Sequence, residues 1–174
     1  MKKIVVLLCV VALTVSAKAQ VYLGGEFNIT HDGDTDVTDF TLAPEIGYKL
    51  NNTWDFGLEI GYSYVGIKDN GTDKNVNAFH VAPYARWTYF EKGIAHLFLE
   101  GGLGFSTCKV GDADSNNGFE VGVKPGLALE VNEKFAFIAK LGFLGYRDSY
   151  KYNNSVSGLS VGTEDLSIGF IYSF

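Results

Sequence analysis

Residues 165–174 read DLSIGFIYSF, and their alternation decides the fold. Leu166, Ile168, Phe170, Tyr172 and Phe174 are large and apolar, while Ser167, Gly169 and Ser173 between them are small. Apolar residues at every second position make a β-strand with one greasy face. Chain ends are ordinarily frayed and polar. A terminus of this kind therefore belongs to a sheet that holds its last residue.

Working back from that stretch, the same period recurs seven more times. The first set is Val21, Leu23, Gly25, Phe27, Ile29, and the second Phe40, Leu42, Pro44, Ile46, Tyr48, Leu50. Trp54, Phe56, Leu58, Ile60, Tyr62, Tyr64 follow, then Phe79, Val81, Pro83, Ala85, Trp87, Tyr89. The fifth is Leu97, Leu99, Gly101, Leu103, Phe105; the sixth is Phe119, Val121, Val123, Pro125, Leu127, Leu129. Phe135, Phe137, Ala139, Leu141, Phe143 complete the series. Each segment is about ten residues long, enough for a tilted strand to cross a bilayer. No helical period competes with this one.

The connections sort by length. Asn51-Asn52-Thr53, Glu91-Lys92-Gly93 and Asn132-Glu133-Lys134 are short polar turns. The other four, His31 to Thr38, Gly66 to Val76, Ser106 to Asn117 and Tyr146 to Asp165, are long, and long alternates with short throughout. That is the pattern of an all-β, eight-stranded, antiparallel up-and-down transmembrane β-barrel with short periplasmic turns and long outer loops. A soluble sandwich has no reason to sort its loops this way.

The opening residues fit an exported chain. Lys2 and Lys3 precede an apolar core, Ile4 to Val15, and Ala17-Lys18-Ala19 offers an A-x-A cleavage site. The expected division is a signal peptide over 1–19 and a barrel over 20–174. Removing the signal takes away three lysines and no acid, leaving eleven basic residues against twenty acidic ones. Nucleic-acid binding needs a basic surface, so that class of partner is excluded. Cys9 leaves with the signal and Cys108 stays alone, so no internal disulfide holds the mature fold.

Charge and aromatic position assign the two faces. Between the apolar stripes lie Glu26, Glu45, Glu59, Arg86, Glu100, Lys124 and Lys140, with Asn28, Lys49, Asp55, His80, Tyr84 and Glu120. In a membrane barrel the apolar face meets lipid and these groups turn inward. The seven named first are expected to gather near mid-barrel as a salt-bridged cluster, because an unpaired buried charge is costly. Tyr48, Trp54, Trp87, Tyr89, Tyr172 and Phe174 fall at the short-turn level and form a periplasmic aromatic girdle. Phe27, Phe40, Tyr62, Tyr64, Phe79, Phe105, Phe119 and Phe143 fall at the opposite level. Two aromatic belts around an aliphatic band match the two interfaces of a membrane. Outer-membrane lipid and lipopolysaccharide are the expected surroundings. Pro44, Pro83 and Pro125 sit at matching registers of returning strands, where a missing N–H calls for bulges or kinks.

Taken together, the leader, the eight stripes and DLSIGFIYSF resemble the small outer-membrane β-barrels of Gram-negative bacteria, the OmpA/OmpX-like porin family. The resemblance covers the whole mature chain. It implies an outer-membrane location, and it implies that Phe170, Tyr172 and Phe174 form a signal for the barrel-assembly machinery. It further implies that the last strand pairs with Val21–Ile29 and closes the barrel.

Chemistry beyond the charge cluster is sparse. His31, His80 and His96 carry no accompanying nucleophile motif, so no catalytic residue is assigned. DGDTD (32–36) and DADSNN (112–117) resemble the start of a calcium loop but lack Gly at the sixth position and Glu at the twelfth. No metal or cofactor is expected. The fourth loop, with Tyr146, Tyr150 and Tyr152 beside Arg147 and Lys151, has a composition suited to recognising a surface protein. The expected role is non-catalytic: envelope structure or surface interaction through four long loops. A narrow or gated channel is the alternative.

Overall fold

A computed structural model describes residues 20–32, 37–69, 72–110, 115–151, 155–162 and 165–174. The leader, most of the two acidic runs and Tyr152 lie outside the described residues, as does the His31 side chain. The strands are β1 (Gln20–Asp32), β2 (Val37–Lys49), β3 (Trp54–Asp69), β4 (Thr72–Lys92) and β5 (Ala95–Val110), followed by β6 (Asn116–Glu130), β7 (Phe135–Leu141), β8 (Phe143–Asp148), β9 (Val156–Ser160) and β10 (Leu166–Ser173). From β1 to β6 each strand pairs antiparallel with the next. β6 then pairs with β7 near the short turns and with β8 further up. β10 bridges β7 and β1 and closes the wall. β7 and β8 are thus two halves of the seventh stave, and β9 and β10 two halves of the eighth. The result is a closed eight-stranded antiparallel barrel, with the short turns at what is here its lower end.

The faces fall as the alternation requires. Outward residues such as Leu42, Phe79 and Phe137 are about half exposed, whereas Tyr22, His80, Glu45 and Lys140 on the inward phase are 3% exposed or less. Two apolar clusters lie inside: Tyr22, Phe98, Ile138 and Ile171 in the lower half, and Val65, Val76, Ala78 and Cys108 in the upper half.

Several details differ from the sequence expectation. The long connections are largely hairpin: β3 runs to Asp69 and β4 begins at Thr72, where the composition suggested a loop from Gly66 to Val76. Cross-strand pairs hold this extension together, with Tyr62 Oη donating to Asn77 Oδ1 at 2.6 Å and Tyr64 Oη to Asn75 Oδ1 at 2.9 Å. β4 continues through Lys92, with a register shift at Thr88/Phe90, and turns at Gly93, whose φ is +61°. At Pro44 and Pro83 the ladder to the following stave skips two residues and resumes in register, from Leu42 to Glu45 and from Val81 to Tyr84. Those prolines need a gap in the ladder and no bulge. At Pro125 the gap faces a stave that carries one residue more than its partner.

That extra residue is at Gly142, where φ is +81°, a conformation that L side chains with a Cβ adopt only under strain. It works as a β-bulge and reverses the inside–outside phase of β8, the rest of its stave. Phe143, expected in the outer aromatic row, is therefore 1% exposed and points inward, while Leu144 and Tyr146 face out. Arg147 turns inward with Phe143.

Candidate functional site: the charged interior

Inward positions on adjacent staves meet at the axis of so narrow a barrel, and their charges meet with them. Arg86 on β4 is the lower anchor. Its guanidinium donates twice to Glu100 Oε2, at 3.0 and 2.7 Å, and reaches Glu45 Oε2 at 3.3 Å. The same group lies over the rings of Phe98 and Tyr84, at 4.8 and 5.1 Å. Tyr84 Oη donates to Glu45 at 2.7 Å and shares a 2.8 Å hydrogen bond with Tyr22 Oη. Both rings cross directly over glycines of neighbouring staves, Tyr84 over Gly57 and Tyr22 over Gly47, where a Cβ would fall within 2.3 Å of a ring atom.

Lys140 on β7 continues the network. Its ammonium contacts Glu26 and Glu100 and stands 3.9 Å from Glu59. Glu59 in turn bonds the His80 ring at 3.0 Å. Above this layer Glu120 joins Lys124 at 2.9 Å and Arg147 at 2.7 Å, and Arg147 reaches Asp165 at 3.1 Å. Oxygens of Glu26, Glu45 and Glu59 lie within 4.8 Å of one another, a spacing a divalent cation can bridge. Lys140 already supplies positive charge there, which favours an internal ion pair over a metal.

Of the sequence-derived cluster, Glu26, Glu45, Glu59, Arg86, Glu100 and Lys140 are connected in one buried network, whereas Lys124 belongs to the upper set with Glu120. Arg147 was missed because the Gly142 bulge inverts its phase, with a lone glycine inside a stripe as the available signal, whereas Asp165 was missed because it was placed at the end of the fourth loop. Tyr150, expected on an exposed loop, is 2% exposed and packs edge-on against His80 at 5.9 Å. Lys151 N donates to Ser106 Oγ at 2.7 Å, so the chain after β8 is tied across the upper mouth to β5.

At the lower rim Trp54 stacks on its cross-strand partner Trp87 at 6.3 Å, and Tyr89 joins Trp87 at 5.8 Å. Tyr172 meets Phe174 edge-on at 5.3 Å, Phe170 stacks on Phe135 at 6.0 Å, and Tyr48 lies opposite Val21 and Phe56. A lower vestibule of about 490 Å³ is bordered by Arg86, Lys49, Asp55, His96 and Glu130. A smaller chamber of about 70 Å³ lies above Lys140.

Comparison with known proteins agrees with this architecture. The model of a family described as outer membrane protein beta-barrel domain matches residues 4–174. The crystal structure of Neisserial surface protein A superposes with a TM-score of 0.54 at 17% identity, covering 90% of this chain and 97% of that one. The outer membrane protein OprG from Pseudomonas aeruginosa superposes at 0.52 and 13% identity, covering 90% and 94%. At such identities the likeness is one of fold. No curated protein matches by sequence.

Proposed function

Since the chain belongs to the outer membrane protein beta-barrel domain family and resides in the outer membrane of a Gram-negative bacterium, we propose that it is a non-catalytic barrel, sealed along its axis, acting in envelope structure or surface interaction through the four hairpins of its upper end. The observation that carries this reading is the layer of Arg86, Glu45, Glu100, Lys140 and Glu26, which spans the interior with each member at most 6% exposed. Ions crossing would have to break charge-assisted bonds in a low-dielectric interior. The roles expected from the resemblance join this proposal: residues 1–19 as a cleaved leader, and Phe170, Tyr172 and Phe174 as the assembly signal. Lipid and lipopolysaccharide would surround the wall, and a surface protein would bind at the hairpins. The test is current through the purified barrel in a planar bilayer. Absence of steady openings is expected, and steady openings of the wild type would overturn the sealed axis.

A narrow, gated channel is favoured by one observation of its own: a single charged layer separates the vestibule from the upper chamber. Replacing Arg86 and Glu100 by Met would create conductance under that reading and leave the bilayer silent under the first.

A further inference from the structure

Three tyrosines are buried inside the barrel among the described residues: Tyr22, Tyr84 and Tyr150. The first two sit on strands, and their hydroxyls bond each other and Glu45. Tyr150 lies outside any strand, between β8 and β9, and its hydroxyl is buried with no hydrogen-bond partner among the described residues. An unpartnered buried hydroxyl raises the energy of the conformation that holds it.

The backbone around Tyr150 is strained as well. Ser149 and Lys151 have φ of +49° and +60°, and among the described residues no other non-glycine has a positive φ. The two turns aim the side chain between them into the barrel. Asp148 clasps the segment at its base, accepting hydrogen bonds from the Ser149 and Ser155 hydroxyls. The bond that ties the segment to the facing wall runs from Lys151 N to Ser106 Oγ.

Such a conformation persists only where its surroundings hold it, and here the wall is cut to receive it. Gly104 on β5 lies under the Tyr150 ring, where a Cβ would come within 2.6 Å of ring atoms. Gly118 on β6 lies under the backbone, where a Cβ would fall 2.0 Å from the Ser149 carbonyl oxygen. The His80 ring borders this recess edge-on. Shape therefore seats the segment, while leaving the seat relieves two strained turns and hydrates one hydroxyl. The Arg86–Lys140 layer beneath is held by charge-assisted bonds throughout and gains nothing by opening.

We propose that residues 149–151 are a lid on the outer mouth: Tyr150 leaves its glycine recess and admits water and solutes of a few heavy atoms to the chamber above Lys140, while the Arg86 layer stays shut. Tyr150 and Lys151 both border that chamber. The lid governs the chamber alone, so it stands or falls independently of the seal along the axis.

The test uses Ala43→Cys in a Cys108→Ser barrel held in lipid nanodiscs, because Ala43 borders the chamber and is 2% exposed. The probe is a small water-soluble methanethiosulfonate, and heat-shifted gel mobility verifies that each variant is folded. The thiol should react in the folded barrel, at a rate that low urea leaves unchanged, as for a local opening. Adding Tyr150→Phe should slow the reaction about tenfold, since it deletes the unpartnered hydroxyl from the seated state. Adding Tyr150→Ala should speed it about tenfold, since it empties the recess. Amide exchange at Lys151 reads the same opening without an added thiol: it should outpace the paired β5 residues Phe105 and Thr107, and slow in Tyr150→Phe. A thiol that reacts only on global unfolding, a rate raised by Tyr150→Phe, or equal rates in all three barrels would overturn the lid. So would Lys151 exchange as slow as that of its β5 neighbours.

Discussion

The lower and upper halves of this barrel are built from the same period-two sequence and end differently. Below Gly142 the ladders facing β7 and β10 run without inserted residues, β10 zips to β1 from Tyr22 to Phe27, and aromatic pairs ring the rim. Above it, one extra residue inverts the seventh stave, and among the described residues β9 pairs with β8 alone. The lower half gains closure and a rigid charge network. The upper half gains an inward Arg147, a buried Tyr150 and a small chamber above Lys140. A barrel removes its edges only as far as its ladders reach.

The largest expected effect lies at the junction of the halves. Lys140→Met leaves Glu26, Glu59 and Glu100 facing one another without their shared cation. It should cost about 3–5 kcal/mol, as for breaking a buried ion pair, read from urea unfolding in lipid. Pairing it with Glu100→Gln should recover part of the loss. A cost below about 1 kcal/mol would mean that the interior behaves like an exposed ion pair.

Gly142→Val sharpens the contrast. A β-branched residue at φ +81° is strained by about 1–3 kcal/mol, and relief of that strain would turn Arg147 away from Glu120. Faster amide exchange in β8 and β9 with unchanged exchange in the lower half is expected; equal acceleration of both halves would show that they are not separable.

How much of this was legible follows from the range of each interaction. Alternation, short turns and the aromatic rows depend on neighbours two residues apart, so the eight staves and the inward phase of Glu45, Arg86 and Lys140 could be read directly. The hairpin extension of β3 and β4 could not, because Tyr62–Asn77 and Tyr64–Asn75 bonds override a loop-like composition. Phe143 was misplaced and Arg147 overlooked for a single reason: carrying the Leu141 stripe forward ignores a glycine able to take φ above zero. Which acid meets which base depends on strand stagger, which period alone does not encode. Lys140 finds Glu26 across the closing staves and not the nearer Lys124–Glu120 pair.

The smallest expected effect is at the lower rim. Trp87→Ala removes the stack on Trp54 and the contact with Tyr89. It should cost about 1 kcal/mol beyond lost area, seen as a small shift in unfolding midpoint with exchange in β9 unaltered.

Residue-resolved amide exchange in lipid tests the two-halves account most directly. The β1 amides paired with β10, Tyr22 to Phe27, should be strongly protected, while β9 (Val156–Ser160), paired with β8 alone among the described residues, exchanges orders of magnitude faster. Protection of β9 equal to that of the lower β1 ladder would contradict the account, since it would require a second ladder on β9.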